Sequence, residues 1–277
     1  MTKRYVLPLF ESPESAAAVP ATERVEIAEA LGRDGDPRLE VERWIEVPGT
    51  SIALAKYPLT AQAYLKFVKA GGYDECRGWD ERGWALRESL GWSGPVEWPK
   101  QLKHPNRPVI GVSWHEATAY CAWRSALERR EVRLPTSAEW EAAASPDGRR
   151  FPWGSEEPTV ERANYSLSRI GHACPVGCYP DGEGALGHAD LAGNVWEWTS
   201  TSMPEERAVK LQEHMFYNQS LSSNDRLDDP FFEVRGGSYC KSVAYLHAKV
   251  TLELLAGERL ADVGFRVACV IDESDID

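Results

Sequence analysis

The chain has 277 residues, 43% of them hydrophobic, enough for one large domain or two small ones to bury a core without metals or cross-links. A formal charge of −12 repels phosphate, and the short basic pairs Arg129-Arg130 and Arg149-Arg150 lack interleaved aromatics, so no nucleic-acid partner is expected. No apolar run approaches the roughly 18 residues of a membrane span, and MTKRYVLPLF, broken by Pro8, is too short for a signal-peptide core.

In chain order, residues 1–39 read as an extension or linker, with 11–38 rich in Pro, Ala, Glu and Asp, a short helix over 21–32 and a turn at Asp34-Gly35-Asp36-Pro37. The main domain is placed at 40–277. Strands over 44–47 and 51–57 are joined by Pro48-Gly49, and Thr60 caps a helix to residue 69 with Ala63, Tyr64, Phe67 and Val68 on one face. The 70–106 insertion carries Trp79, Trp84, Trp92 and Trp98 with Asp80 and Glu81, aromatics that suit a core as readily as a pocket wall.

Ser113-Trp-His-Glu116 and Thr136-Ser-Ala-Glu139 are capping boxes, in which hydroxyl and carboxylate satisfy each other's backbone donors and so start two helices. The first, reaching about residue 129, turns Ala117, Tyr120, Cys121 and Trp123 inward. His115 in its first turn reads as a capping or surface residue, since no second His lies one turn away. The cysteines at 76, 121, 174, 178, 240 and 269, in a chain with no export signal, are expected to be free thiols in a reducing cytoplasm. Cys174-Pro-Val-Gly-Cys178 has no matching second pair and reads as loop structure rather than a zinc site.

Beyond residue 145 the texture changes to Gly, Pro and aromatics without helical or strand period, so side-chain hydrogen bonds or ions must organise the chain. In GHADLAGNVWEWTS (187–200), Asp190 and Glu197 flank a Gly193-Asn194 reversal that exposes carbonyls, a set able to surround calcium; the alternative is a turn plus one hydrogen-bonded glutamate.

RLPTSAEWEAAA (133–144), FPWG (151–154), RANYS (162–166), LAGNVWEWTS, VRGGSY (234–239) and VGFRVA (263–268) follow the order and spacing of formylglycine-generating enzymes and their sulfatase-modifying-factor relatives. PLTAQAYLKFVKAGGY and NRPVIGVSWHEATAYCAW are similar to the same family, and the resemblance covers roughly 43–270. It implies an α+β, C-type-lectin-like fold with small antiparallel sheets, few helices and much irregular chain. It also implies structural calcium: one ion on the Asp190 side chain, the Gly193 and Val195 carbonyls and Glu197, a second on Asn164 and the Tyr165 carbonyl. The acidic residue expected at the second site is replaced near Ser168.

Formylglycine-generating enzymes bind copper(I) through two cysteines just after RGGS, because soft two-thiolate coordination selects cuprous ion. Here Cys240 stands one position early, Leu246 and its neighbours occupy the region of the second thiol, and a one-residue shift on an extended segment turns a side chain to the opposite face. Copper is therefore not expected, nor is formylglycine-generating oxidation, and no catalytic residue is assigned. A second type of relative forms carbon–sulfur bonds with iron held by histidines of an added helical bundle. The His residues at 104, 115, 172, 188, 214 and 247 show no such pairing.

The expected function is a non-catalytic module that binds a protein or peptide ligand. Family members without catalytic thiols include the variable proteins of diversity-generating retroelements, which display changeable residues between RGGS and GFRV. The residues in that interval are Tyr239, Cys240, Lys241, Tyr245, His247, Lys249 and Glu253, a mix suited to adaptable recognition. Tyr239, Tyr245 and Leu246 can equally be core beneath a loop. Two alternatives stay open: a divergent oxygen-dependent oxidase or tailoring enzyme, and an assembly component whose protease or signalling partner is reached through residues 11–38.

Overall fold

The computed structural model describes residues 7–10, 14–15, 18–204, 206–208 and 229–271. Its strands are β1 (Trp44–Glu46), β2 (Ile52–Ala55), β3 (Val132–Arg133), β4 (Trp196–Ser202), β5 (Phe231–Arg235), β6 (Thr251–Leu255), β7 (Val263–Phe265) and β8 (Ala268–Val270). They form two four-stranded sheets in the orders β1-β2-β8-β3 and β6-β5-β4-β7. The first is antiparallel, with Ile45 opposite Leu54 and Ala53 opposite Cys269. The second is mixed: β4 pairs antiparallel with β5 but parallel with β7, placing Glu197 opposite Gly264. An all-antiparallel sheet was the expectation; the long connection through β5 and β6 lets β7 return in the direction of β4.

The helices are α1 (Ala21–Asp34), α2 (Ala61–Lys69), α3 (Glu81–Leu90), α4 (Trp98–Gln101), α5 (Trp114–Glu128) and α6 (Ser137–Ala144). Both capping boxes form, Ser113 with Glu116 and Thr136 with Glu139, and Thr60 caps α2 through the Ala63 N–H. The main core joins Tyr64 and Phe67 of α2, Tyr120 and Cys121 of α5, Trp196 and Trp198 of β4 and Phe265 of β7. Each fully buried large apolar side chain such as Phe265 stabilises the fold by about 1.5–3 kcal/mol.

Arg266, fully buried between β7 and β8, ties the sheets together. It forms a two-pronged ion pair with Glu197 at 2.6 and 2.7 Å and donates to the carbonyls of Ala55, Lys56 and Ala189. The Trp140 indole of α6 adds a third N–H to Glu197 at 2.7 Å.

Residues 21–39 are docked, where a linker was expected. Ala21, Val25, Ala28 and Leu31 recur at helical spacing and pack with Phe10 on Cys174, Cys178 and Tyr179. Asn106 donates to the Ala28 carbonyl at 2.8 Å, and its side chain fills the space a Cβ on Gly32 would need.

Candidate functional site

The site is built where β5 ends. Gly236 and Gly237 adopt φ of 99° and 77°, and a side chain on Gly237 would run into the Tyr245 carbonyl, so the chain must leave the sheet here as glycine. Tyr239 is then fixed by its N–H, which donates to the Asn194 carbonyl at 3.0 Å. Ser238 donates to Asp262 at 2.7 Å, the Cys240 thiol donates to the same carboxylate oxygen at 3.2 Å, and the Lys241 ammonium lies 3.8 Å from it. Residues 239 and 240 form a turn. Cys240 therefore does not lie on extended chain, as the expected reversal of its face requires; its hydrogen-bond partners, Ser238 and Asp262, decide its role instead. Partial burial and the Asp262 carboxylate raise the Cys240 pKa above the ordinary thiol value, so the sulfur is kept protonated.

Tyr239 also walls a cleft of about 430 Å³ together with Ala261, Ile110, His104, Arg107 and His172. The 70–106 insertion contributes to this wall through the segment around α4, while its tryptophans turn the other way: Trp79 and Trp92 are buried in the main core, and Trp84 and Trp98 pack at its margin. The cleft's cationic side is set from α1, whose Glu29 meets His104 Nδ1 at 2.6 Å and Arg107 Nε at 2.5 Å. Sequence reasoning missed His104, Arg107 and His172. They meet Tyr239 only through folding, and no local period or spacing marks them; their sole signal is that Arg107 belongs to the NRPVIG motif and His104 stands two residues before it.

Of the seven residues read as a display surface, Tyr239, Cys240 and Lys241 stand together around Asp262. The other four disperse. Tyr245 is half-buried, its ring centroid 5.9 Å from that of Trp196 in an edge-to-face pair, and beside it Leu246 is core. His247 packs on the Phe151 ring and accepts from Arg150 at 3.0 Å, while Lys249 is exposed. Glu253 lies within β6, paired with Arg207 at 2.7 Å. His115 departs from its expected surface or capping role: it is buried, with Nδ1 2.7 Å from Asp80 and Nε2 3.5 Å from Asp229. Burial alone would lower its pKa, but the hydrogen bonds to Asp229 and Asp80 win and raise it to about 9.

Two implied metals can be compared with the donors present. Copper(I) needs a thiol pair, and among the described residues the Cys240 sulfur is hydrogen-bonded to Ser238 and Asp262 and to no second thiol, so the residues here do not fit it. For calcium the donors divide. A cation on Glu197 would stand beside the Arg266 guanidinium, which already neutralises that carboxylate. Asp190 is buried and accepts from the Gly177 N–H at 2.7 Å; burial raises its pKa to about 6. The Tyr165 carbonyl is taken by the Ser168 N–H at 2.9 Å. Asn164 Oδ1, by contrast, is buried and finds no hydrogen-bond partner, which suits a cation ligand. Among the described residues no group of three or more His, Cys, Asp or Glu side chains stands together as metal ligands; His214 lies outside them.

Comparison with known proteins places this geometry. The chain is 33% identical over 240 residues to the hercynine oxygenase of Mycobacterium tuberculosis, covering 78% of this chain and 53% of that protein. It is 31% identical over 207 residues to the inactive C-alpha-formylglycine-generating enzyme 2 of Bos taurus, covering 61% and 64%. The chain thus spans about half the length of the hercynine oxygenases it matches. In fold it is similar to PvdO from Pseudomonas aeruginosa, with a TM-score of 0.55 at 20% identity over 83% of this chain and 92% of that one. Treponema denticola variable protein 1 has a TM-score of 0.54 at 17% identity, covering 83% and 92%. The model of the sulfatase-modifying factor enzyme 1-like domain matches residues 30–271, which hold both sheets and every residue lining the cleft, and the chain belongs to that family.

Proposed function

We propose that this chain is a ligand-binding domain whose cleft at Tyr239 takes a small zwitterionic molecule or the end of a peptide, and that it does not carry out thiol–copper oxidation. The observation that carries this reading is the cleft itself. An aromatic wall and an apolar floor face His104 and Arg107, so a cationic or apolar group can lie on Tyr239 while a carboxylate meets the guanidinium nitrogens beyond the Nε that Glu29 holds. The hydrogen-bonded, protonated Cys240 at its edge supports recognition rather than oxidation.

A second reading, a divergent oxygenase, is favoured by the likeness to hercynine oxygenases. Hercynine, with a quaternary ammonium and a carboxylate, has the charge pattern the cleft would hold. The test is calorimetric titration with hercynine and with short peptides, in parallel with oxygen consumption and metal analysis of the purified chain. Saturable binding weakened at least tenfold in Tyr239→Ala, without oxygen uptake, supports the binding domain. Oxygen uptake with bound iron or copper favours the oxygenase, and absence of any binding overturns the cleft reading.

Calcium as a structural cofactor is a further part of the proposal, resting on the orphaned Asn164 Oδ1.

A further inference from the structure

Away from the cleft, the structure sets two thiols side by side under α1. Cys174 and Cys178 flank a reversal made by Pro175 and by Gly177 at φ 68°, both are fully buried, and their side chains lie within hydrogen-bonding reach of each other. They are packed by Ala21, Val25, Ala28 and Leu31 of α1. The surroundings are polar where an ordinary core is not. The Cys174 thiol donates to Asn194 Oδ1 at 3.5 Å, while Tyr179 Oη and Asn164 Oδ1 are buried with no hydrogen-bond partner. The loop is also where the N-terminal segment is fastened. Arg24 donates to the Cys178 carbonyl at 2.9 Å, Arg38 to the Gly177 carbonyl at 3.4 Å, and the Val176 N–H to the Asn106 carbonyl at 3.0 Å.

We propose that Cys174 and Cys178 are an oxidative modification site, a reversible disulfide that closes the 174–178 loop and loosens α1. One thiol, as its thiolate, attacks a low-molecular-weight disulfide such as glutathione disulfide and releases one glutathione; the second thiol attacks the mixed disulfide and releases another. The protein loses two hydrogens and gains one S–S bond, and the oxidant is reduced to two thiols. Bonded sulfurs stand about 2.0 Å apart, far closer than two thiols in contact, so the loop must tighten and draw its carbonyls away from Arg24 and Arg38. Both sulfurs are fully buried beneath α1, which keeps the pair out of reach of oxidant while α1 covers it. Oxidant reaches the sulfurs when α1 lifts, and the disulfide then disfavours redocking.

The experiment uses the full chain with Cys76→Ser and Cys240→Ser, which removes the two exposed thiols. Incubation with millimolar glutathione disulfide is followed by peptide mapping and by hydrogen exchange across residues 21–34. The expected result is a Cys174–Cys178 link reversed by dithiothreitol, faster link formation in Arg24→Gln, and at least tenfold faster exchange of α1 amides in the oxidised chain. Adding Cys174→Ala with Cys178→Ala abolishes the exchange response. Separate alkylation of both thiols after exhaustive oxidation, or a disulfide that leaves α1 exchange unchanged, overturns the proposal. Neither result depends on what the cleft at Tyr239 binds.

Discussion

At the scale of single residues, burial and charge decide more than position in a motif. Glu197 and Arg266 are both fully buried, so removing either leaves an uncompensated charge in the interior. Arg266→Met is expected to cost about 3–5 kcal/mol, read as a lowered urea midpoint at unchanged slope. His115 offers a test of sign. Its folded pKa of about 9 stands above the ordinary 6.5, so its stabilisation is complete below pH 6.5 and is lost as pH rises towards 9. Asp80, Asp229 and Arg82 are the charged groups that frame this titration. The loss is roughly 3 kcal/mol across that window, and urea melts of wild type against His115→Gln should converge at the alkaline end. At Asn164 the orphaned oxygen predicts that chelation lowers the melting temperature of the intact chain and that Asn164→Ala loses this response.

Among elements, α1 shows how a segment that reads as a linker becomes structural. Its sequence contains Pro and many charges around it, but Val25, Ala28 and Leu31 fall on one face, and a loop more than 140 residues away supplies the surface that face needs. Leu31→Ala should therefore cost about 2–5 kcal/mol, measured by chemical denaturation, rather than the few tenths expected of a tether. α5 and α6 were legible down to their first residues, because a capping box is a local exchange of hydrogen bonds within four positions. The 70–106 insertion was legible only as aromatic and long. Its tryptophans and its cleft-facing polar residues alternate on short helices and turns, and which side meets the core depends on α2 and α5.

For the whole molecule, a cleft is a relation between distant segments, and the proposed binding role belongs to this scale. His104, Arg107, His172 and Tyr239 converge from residues 104 to 239, and α1 reaches over to hold two of them through Glu29. Glu29→Gln removes the carboxylate that competes at Arg107 and is expected to tighten binding of a carboxylate-bearing ligand in the cleft about three- to tenfold, checked by calorimetry beside the wild type. The sequence by itself determined the family, the starts of α1, α2, α5 and α6 and the first pair of strands, because caps, turns and alternation are set by neighbours along the chain. Only the tertiary structure decided that β7 runs parallel to β4, that Glu197 answers Arg266, that the 239–240 segment turns, and that Cys174 and Cys178 lie under α1. Those outcomes depend on which distant surfaces exclude water together, and no window of sequence contains both sides of such a contact.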